Sequence, residues 1–289
     1  MISRTVSETP PIGVIAGNGR FPFLVLDGAR QLGRNVTIVA IQEEADHSIE
    51  QAAEGVPEAV VHWVSLGQLG RCISLLKKSG VSEAVMAGQV KHSKLFSGLI
   101  PDSTLLSVLK RLQVQSTDAL LSAIADVLGE HGITLIESTT FLESLLAESG
   151  TLTRREPTVD ELADFEFGYR IADTVAGLDI GQTVVVKDRT VVAVEAMEGT
   201  DEVIARAARL AGPGVTIIKV AKPNQDMRFD VPVIGVPTID ALRKADATVM
   251  SVDAGRALIL DGERVFEVAN EANISIVGRS TASVTTRSM

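Results

Sequence analysis

The sequence predicts an α/β protein in two parts, a parallel-sheet domain followed by a mixed α/β domain. Three observations lead there. The chain has 289 residues, more than one typical core holds. Aromatic residues are only 3% of a chain that is 45% hydrophobic, so the core must be built from Val, Ile, Leu and Ala, the composition of buried parallel strands under helices. The first half also alternates short β-branched runs with helical segments, which implies a parallel sheet with right-handed crossovers.

In order, "IGVIAG" (Ile12–Gly17), "VTIVAI" (Val36–Ile41), "VVHWV" (Val60–Val64), "EAVMAG" (Glu83–Gly88) and "ITLIES" (Ile133–Ser138) read as strands. Helices are expected over Phe23–Leu32, Leu66–Lys78, Ser103–Val114 and Asp118–Glu130. Between the fourth strand and the third of these helices lies "HSKLFSGLIPDS" (His92–Ser103), a long loop at the strands' carboxyl edge, where α/β folds keep ligands. The stretch "AESGTLTRREPTVDE" reads as a linker around Gly150–Thr158, giving domains 1–152 and 153–289. The second half starts with a helix, "DELADFEFGYRIADTVAGL". Strands "QTVVVKD" and "TVVAVEAM" follow, joined by a tight turn at Asp188–Arg189. Thr200 reads as the N-cap of a helix to Leu210, with Asp201 and Glu202 facing the helix dipole. "VTIIKVAK", "ATVMSV", "RALIL", "ERVFEV" and "ISIVG" read as further strands, and "TIDALRKA" as a short helix.

Charge and composition exclude some functions. A net charge of −10 argues against a nucleic-acid partner, since such binding needs a basic face. Cys72, the single cysteine, leaves no disulfide framework and reads as a small core residue. "MISRTVSETPP" lacks the apolar core of a signal peptide, and no run approaches the roughly 18 apolar residues of a membrane span. The expectation is a cytoplasmic protein, with peripheral contact with a membrane left open. No phosphate loop, no H-E-x-x-H and no nucleophile elbow is present. The histidines do not pair at metal-ligand spacing, so any metal is a hard, oxygen-bound ion such as Mg²⁺ or Mn²⁺.

Four constellations could carry chemistry. "AGNGRFP" (Ala16–Pro22) places Gly17, Asn18 and Gly19 at a strand end, where backbone N–H groups can meet a phosphate. Pro22 stands where a dinucleotide fingerprint has its third glycine, and no acid ends the second strand to read a ribose. The turn therefore reads either as a nucleotide contact or as strand-to-helix geometry. "AGQVKHSK" offers Gln89 and Lys91 to a base or phosphate, or is a solvated loop. "VEAMEGTDE" gathers Glu195, Glu198 and Asp201 at a corner that could hold Mg²⁺ or simply cap a helix.

"KPNQDMRFDVP" (Lys222–Pro232) is the fourth. If extended, Asp226, Arg228 and Asp230 share one face, and Met227, Phe229 and Val231 the other. The apolar face would pack on the core while the charged face lines a cleft. Lys219 and Lys222 stand at its upstream end, where cations would hold phosphates; otherwise the segment is an exposed strand with a charge-alternating outer face.

The segments "GVIAGNGRFPFLVLDGAR", "MAGQVK", "STDALL", "EAMEGTDE" and "KPNQDMRFDVPVIGVPT", in this order, resemble the LpxI family of UDP-2,3-diacylglucosamine pyrophosphatases. The likeness runs from about Ile12 to Gly278, and its specific parts are "EAMEGTD" and K-P-x-Q-D-x-R-F-D-x-P. It implies an enzyme of lipid A synthesis that hydrolyses UDP-2,3-diacylglucosamine to UMP and 2,3-diacylglucosamine 1-phosphate (lipid X) with a divalent ion, usually Mg²⁺. It also implies a Rossmann-like N-terminal domain, a distinct C-terminal domain, ligand between them, and a homodimer. The family's essential aspartate matches Asp226, the expected metal ligand or water-orienting base, with Asp230 in support. Arg228 and Lys219 or Lys222 are expected to neutralise phosphate oxygens. Gly17, Asn18, Gly19, Gln89, Lys91, Gln225 and Thr200 complete the expected substrate contacts. A nucleotide-dependent oxidoreductase and a non-catalytic nucleotide-sugar or lipid-binding protein are the alternatives.

Overall fold

The computed structural model describes residues 10–280 except 56, 58, 91–99 and 113–116. The chain divides into two compact units, Met1–Leu142 and Glu143–Met289.

The first unit is a parallel sheet in the order β3-β2-β1-β4-β5. Its strands are β1 (Ile12–Ala16), β2 (Val36–Ile41), β3 (Ala59–Val64), β4 (Glu83–Ala87) and β5 (Thr134–Leu135). The helices are α1 (Phe21–Gln31), α2 (Ser48–Ala53), α3 (Leu69–Lys78), α4 (Ser103–Arg111) and α5 (Thr117–Glu130). β2 is buried along its whole length, as a central parallel strand covered on both faces must be. Cys72 lies in this core, and burial pushes its thiol pKa up to about 12, so the small-core-residue reading holds. His131 closes α5, with its Nδ1 2.8 Å from the Val127 carbonyl oxygen. α2 was not foreseen: at six residues it is too short to show a helical period, and only Ile49 and Ala53 are buried. β5 is also shorter than the expected strand, with two paired residues.

The second unit holds a mixed sheet in the order β6-β13-β11-β9-β7-β8. The strands are β6 (Gly150–Thr151), β7 (Thr183–Lys187), β8 (Thr190–Val194), β9 (Thr216–Lys219), β11 (Val249–Asp253) and β13 (Ser275–Arg279). β10 (Val233–Ile234) and β12 (Leu258–Ile259) form a separate parallel pair. α6 (Val159–Gly177), α7 (Thr200–Ala211), α8 (Val236–Lys244) and α9 (Glu263–Glu271) complete the unit. β9, β11 and β13 run parallel, and β7 is antiparallel to both β9 and β8. The β7–β8 turn has Asp188 and Arg189 at φ 50° and 55°, the two left-handed positions of a type I′ hairpin. Buried Asp164 supports it by accepting the Arg189 N–H at 2.7 Å.

Four local expectations change here. Gly150–Thr151, read as linker, is an edge strand paired with β13. Thr158, at the other end of that stretch, caps α6 in a reciprocal box with Glu161. "ERVFEV" is not a strand but the start of α9, because its buried residues Val265, Val268 and Ala269 fall at helical spacing and Gly262 supplies the N-cap. Thr200 is not the N-cap of α7. Gly199 is, at φ 88°, which leaves the Thr200 hydroxyl for other partners.

Candidate functional site

In the first unit, the order β3-β2-β1-β4-β5 makes the gap between β1 and β4 the point where the connections diverge to opposite sides. The loops after these two strands cross there. Asn18 N–H donates to the Gln89 carbonyl at 2.8 Å, and Gln89 N–H returns to Asn18 O at 3.0 Å. Gly17 N–H donates to Ala87 O at 2.8 Å. A Cβ on Gly17 would lie 2.7 Å from Gln89 O, so glycine is required for the loops to approach. The structure thus brings Gly17, Asn18, Gly19 and Gln89 together but corrects their expected roles. The N–H groups of Gly17 and Asn18 are committed to the neighbouring loop, because two parallel strand ends this close satisfy each other first. Lys91 lies outside the described residues.

In the second unit, charged and polar residues collect along one edge of the sheet. β8, β9, β11 and β13 end there and β7 begins there, as the pairs Thr183–Lys219, Val252–Lys219 and Asp253–Arg279 show. The edge therefore carries Gln182 and Thr183, Glu195, Lys219, Asp253 and Arg279. Each begins, ends or directly flanks an apolar strand, so the strand's own burial fixes its position.

Thr200 is the hub of the β8–β9 side. Its hydroxyl donates to Glu195 Oε1 at 3.0 Å and accepts from Lys219 Nζ at 2.7 Å. Glu195 is buried, and its Oε2 accepts the Gln182 N–H at 3.2 Å. Loss of water around the Lys219 ammonium lowers its pKa from 10.5, while the charges of Glu195, Asp201 and Asp230 pull it back up.

The segment 222–232 corrects the extended reading. Asp230 N–H and Phe229 N–H both bond Asp226 O, at 3.2 and 3.3 Å, so the chain folds into a turn rather than a strand. Residues 225–231 are all half-buried, without the alternation that one apolar face would produce. The reason lies in local side-chain bonds that compete with an extended backbone. Gln225 Oε1 accepts the Lys222 N–H at 2.8 Å, Gln225 Nε2 bonds Asp230 O, and Asp226 Oδ1 accepts the Arg228 N–H at 3.1 Å.

Two charge groups result instead of one Asp-Arg-Asp face. Arg228 grips Asp226 through Nε at 2.9 Å and Nη2 at 2.7 Å and stacks over Phe229, 5.3 Å from the ring centroid. That guanidinium holds the Asp226 carboxyl below the usual aspartate range, outweighing partial burial. Asp230 instead receives Lys222 Nζ at 3.1 Å and Gln182 Nε2 at 3.2 Å, and Lys222 also pairs with Asp179 at 2.6 Å.

The corner "VEAMEGTDE" does not gather its carboxylates. Glu195 turns inward to Thr200, whereas exposed Glu198 accepts the Ala196 N–H at 2.9 Å and Arg206 Nη2 at 2.6 Å. Among the described residues, no three His, Cys, Asp or Glu side chains form a group that could hold a metal ion. The donors present do not make an all-protein cage.

Comparison with known proteins accounts for both units. Residues 11–145 match the family model of the LpxI N-terminal domain, and residues 148–277 that of the LpxI C-terminal domain. The chain belongs to the LpxI family. A relative in Caulobacter vibrioides, the UDP-2,3-diacylglucosamine pyrophosphatase LpxI, is 31% identical over 279 residues, covering 92% of this chain and 96% of that protein.

Within this LpxI chain, the sequence pointed to Lys219, Lys222, Gln225, Asp226, Arg228, Asp230 and Thr200, and the structure links them in adjoining networks. Sequence reasoning missed Gln182, Asp179, Asp253, Arg256 and Arg279. For Asp253 and Arg279 the available signal was a charged residue closing an apolar strand, "VMSVD" and "SIVGR"; Asp179, Gln182 and Arg256 lie in connections and carried no such signal.

Proposed function

We propose that this chain hydrolyses the pyrophosphate bond of UDP-2,3-diacylglucosamine, releasing UMP and 2,3-diacylglucosamine 1-phosphate (lipid X) in lipid A biosynthesis. The observation that carries this is the near full-length likeness to the Caulobacter vibrioides enzyme, 31% identical over 92% of the chain. The polar edge of the second unit supports it, because it supplies what attack at a diphosphate needs: fixed cations and an ionised carboxylate.

In this reading Asp226, kept ionised by Arg228, orients the attacking water, and Arg228 turns from Asp226 to the phosphate oxygens when substrate enters. Asp230 holds Lys222 in place through the 3.1 Å pair. Lys219, anchored by Thr200, faces developing negative charge. Within the first unit, Asn18, Gly19 and Gln89, with Lys91, are the candidate nucleotide contacts, through groups other than the Gly17 and Asn18 N–H donors. Mg²⁺ (or Mn²⁺) would be held by Asp226 and would neutralise phosphate oxygens. The enzyme works as a cytoplasmic homodimer that meets its acylated substrate at the inner membrane. Among the described residues, no helix is long and apolar enough to cross that membrane.

Product analysis after incubation with UDP-2,3-diacylglucosamine tests the reading. UMP and lipid X are expected from the wild type and not from Asp226→Ala, which should still bind substrate. EDTA should stop the reaction and added Mg²⁺ restore it. Substrate binding without release of UMP would favour a non-catalytic carrier and sink the hydrolase, and full activity in Asp226→Ala would remove that residue from its role.

A further inference from the structure

A diphosphate needs several positive groups, yet among the described residues each cation that the sequence offered in the second unit already has a partner. Lys222 meets Asp179 and Asp230, Arg228 meets Asp226 through two nitrogens, and Lys219, held by the Thr200 hydroxyl, feels the charges of Glu195, Asp201 and Asp230. Their charges are largely answered before any substrate arrives.

Arg256 is different. It stands in the turn after β11, three positions beyond Asp253, and is half-buried. The segment 253–258 clamps the loop that carries Asp226 at three points. Asp253 Oδ2 accepts the Ala221 N–H at 2.8 Å, Arg256 Nη2 donates to the Lys222 carbonyl at 2.6 Å, and Leu258 N–H donates to Pro232 O at 2.9 Å. Asp253 is itself held, since Arg279 Nε donates to its Oδ1 at 2.6 Å. The Arg256 guanidinium is therefore placed at the base of the loop by rigid neighbours. Among the described residues no carboxylate pairs with it, and its only side-chain bond is to that neutral carbonyl. None of its nitrogens is buried without a partner, so the remaining donors reach solvent.

A guanidinium has five N–H donors. Whichever Nη2 hydrogen the Lys222 carbonyl takes, one two-donor edge stays complete. That edge matches a pair of phosphate oxygens, and its full charge is not offset by an acid. We propose that Arg256 is a phosphate-binding residue, oriented by the Lys222 carbonyl to grip the diphosphate beside Asp226. This rests on the reading of the substrate as a nucleotide diphosphate.

The test uses the full chain and UDP as probe, by calorimetric titration, together with kcat/KM for UDP-2,3-diacylglucosamine. Arg256→Ala should weaken UDP binding about 10- to 100-fold, the range for a lost hydrogen-bonded charge. Arg256→Gln removes the charge and, being shorter, also gives up the bond to the Lys222 carbonyl, so its urea unfolding is measured beside the titration to separate lost binding from lost scaffolding. It should lose UDP affinity as Arg256→Ala does, while Arg256→Lys, charged but without the fork, recovers part of it. Arg209→Ala, at the far end of α7, should bind UDP as the wild type does. Wild-type affinity and kcat/KM in Arg256→Gln would overturn the proposal and leave a purely structural arginine. If the wild type binds UDP but does not hydrolyse the diacylated substrate, and both Arg256→Ala and Arg256→Gln lose UDP, the pyrophosphatase reading fails while the arginine's assignment stands.

Discussion

Replacing Thr200 with valine removes a hydroxyl and keeps the side chain's shape. That hydroxyl does two jobs at once, giving its proton to Glu195 at 3.0 Å and accepting one from Lys219 at 2.7 Å. Only an amphiprotic group can stand between a carboxylate and an ammonium in this way. Each bond has a charged partner and is worth roughly 1.5–3 kcal/mol, so the ceiling is about 6 kcal/mol. Part survives in the variant, because Glu195 keeps the Gln182 N–H at 3.2 Å and Lys219 keeps the attraction of Glu195, Asp201 and Asp230. The expected loss for Thr200→Val is about 2–4 kcal/mol, whereas Thr200→Ser, which keeps the hydroxyl, should lose roughly 1 kcal/mol for its missing methyl. Urea unfolding can be read unit by unit, since the single tryptophan, Trp63, lies in the first unit and the single tyrosine, Tyr169, in the second. The loss should register in the Tyr169 transition. A Thr200→Val transition within about 0.5 kcal/mol of wild type, or a serine variant as damaged as the valine one, would refute the reasoning.

Lys219 predicts an alkaline limb. A depressed lysine pKa means the ammonium is lost as pH rises, before the ordinary 10.5, so kcat/KM should fall there, and Lys219→Arg should push the limb to higher pH. The groups facing that ammonium are Glu195, Asp201 and Asp230, so neutralising Glu195 should move the limb lower. Glu161 predicts acid sensitivity of the α6 start. Its partial burial alone would raise its pKa, but hydrogen bonds from Arg155, Thr248 and the Thr158 N–H outweigh this and hold it below 4.5. The stability it contributes is fully present above that ordinary value and disappears as pH falls through the folded-state pKa, so Glu161→Gln should flatten the acid loss measured by urea titration. Gly168 faces β9 from α6, where a Cβ would overlap Ile218 Cδ1 and lie 3.0 Å from Val186 Cγ2. Gly168→Ala should therefore destabilise by about 1–2 kcal/mol, overpacking outweighing the gain in helix propensity, and Ile218→Val should relieve it in a double-mutant cycle. Additive effects of the two changes would exclude that contact.

Much of the first unit was legible because its strands are continuous apolar runs. β1 to β4 lie within a residue of their expected limits, and β1 and β2, the strands buried nearly throughout, needed no information from elsewhere. α9 was misread because "ERVFEV" is short enough to satisfy both periods, and only packing of Ala269 further along chose the helix. The candidate site was legible as a set of residues and not as a shape. Motif spacing named Asp226, Arg228 and Asp230, but their division between two charge groups depends on Asp179, Gln182 and Lys222, brought near by the start of β7 and the end of β9.

The sequence alone determined the α/β class, the run of strands and helices that local hydrophobic period records, the family, and the aspartate to mutate first. Tertiary structure decided which charges are already answered and which remain open to a ligand. Charge neutralisation acts through space, so it is set by which strand ends share a sheet edge. That is why Lys222, adjacent to the motif, is paired, while Arg256, far along the chain, holds the loop by a carbonyl and keeps its charge for a phosphate.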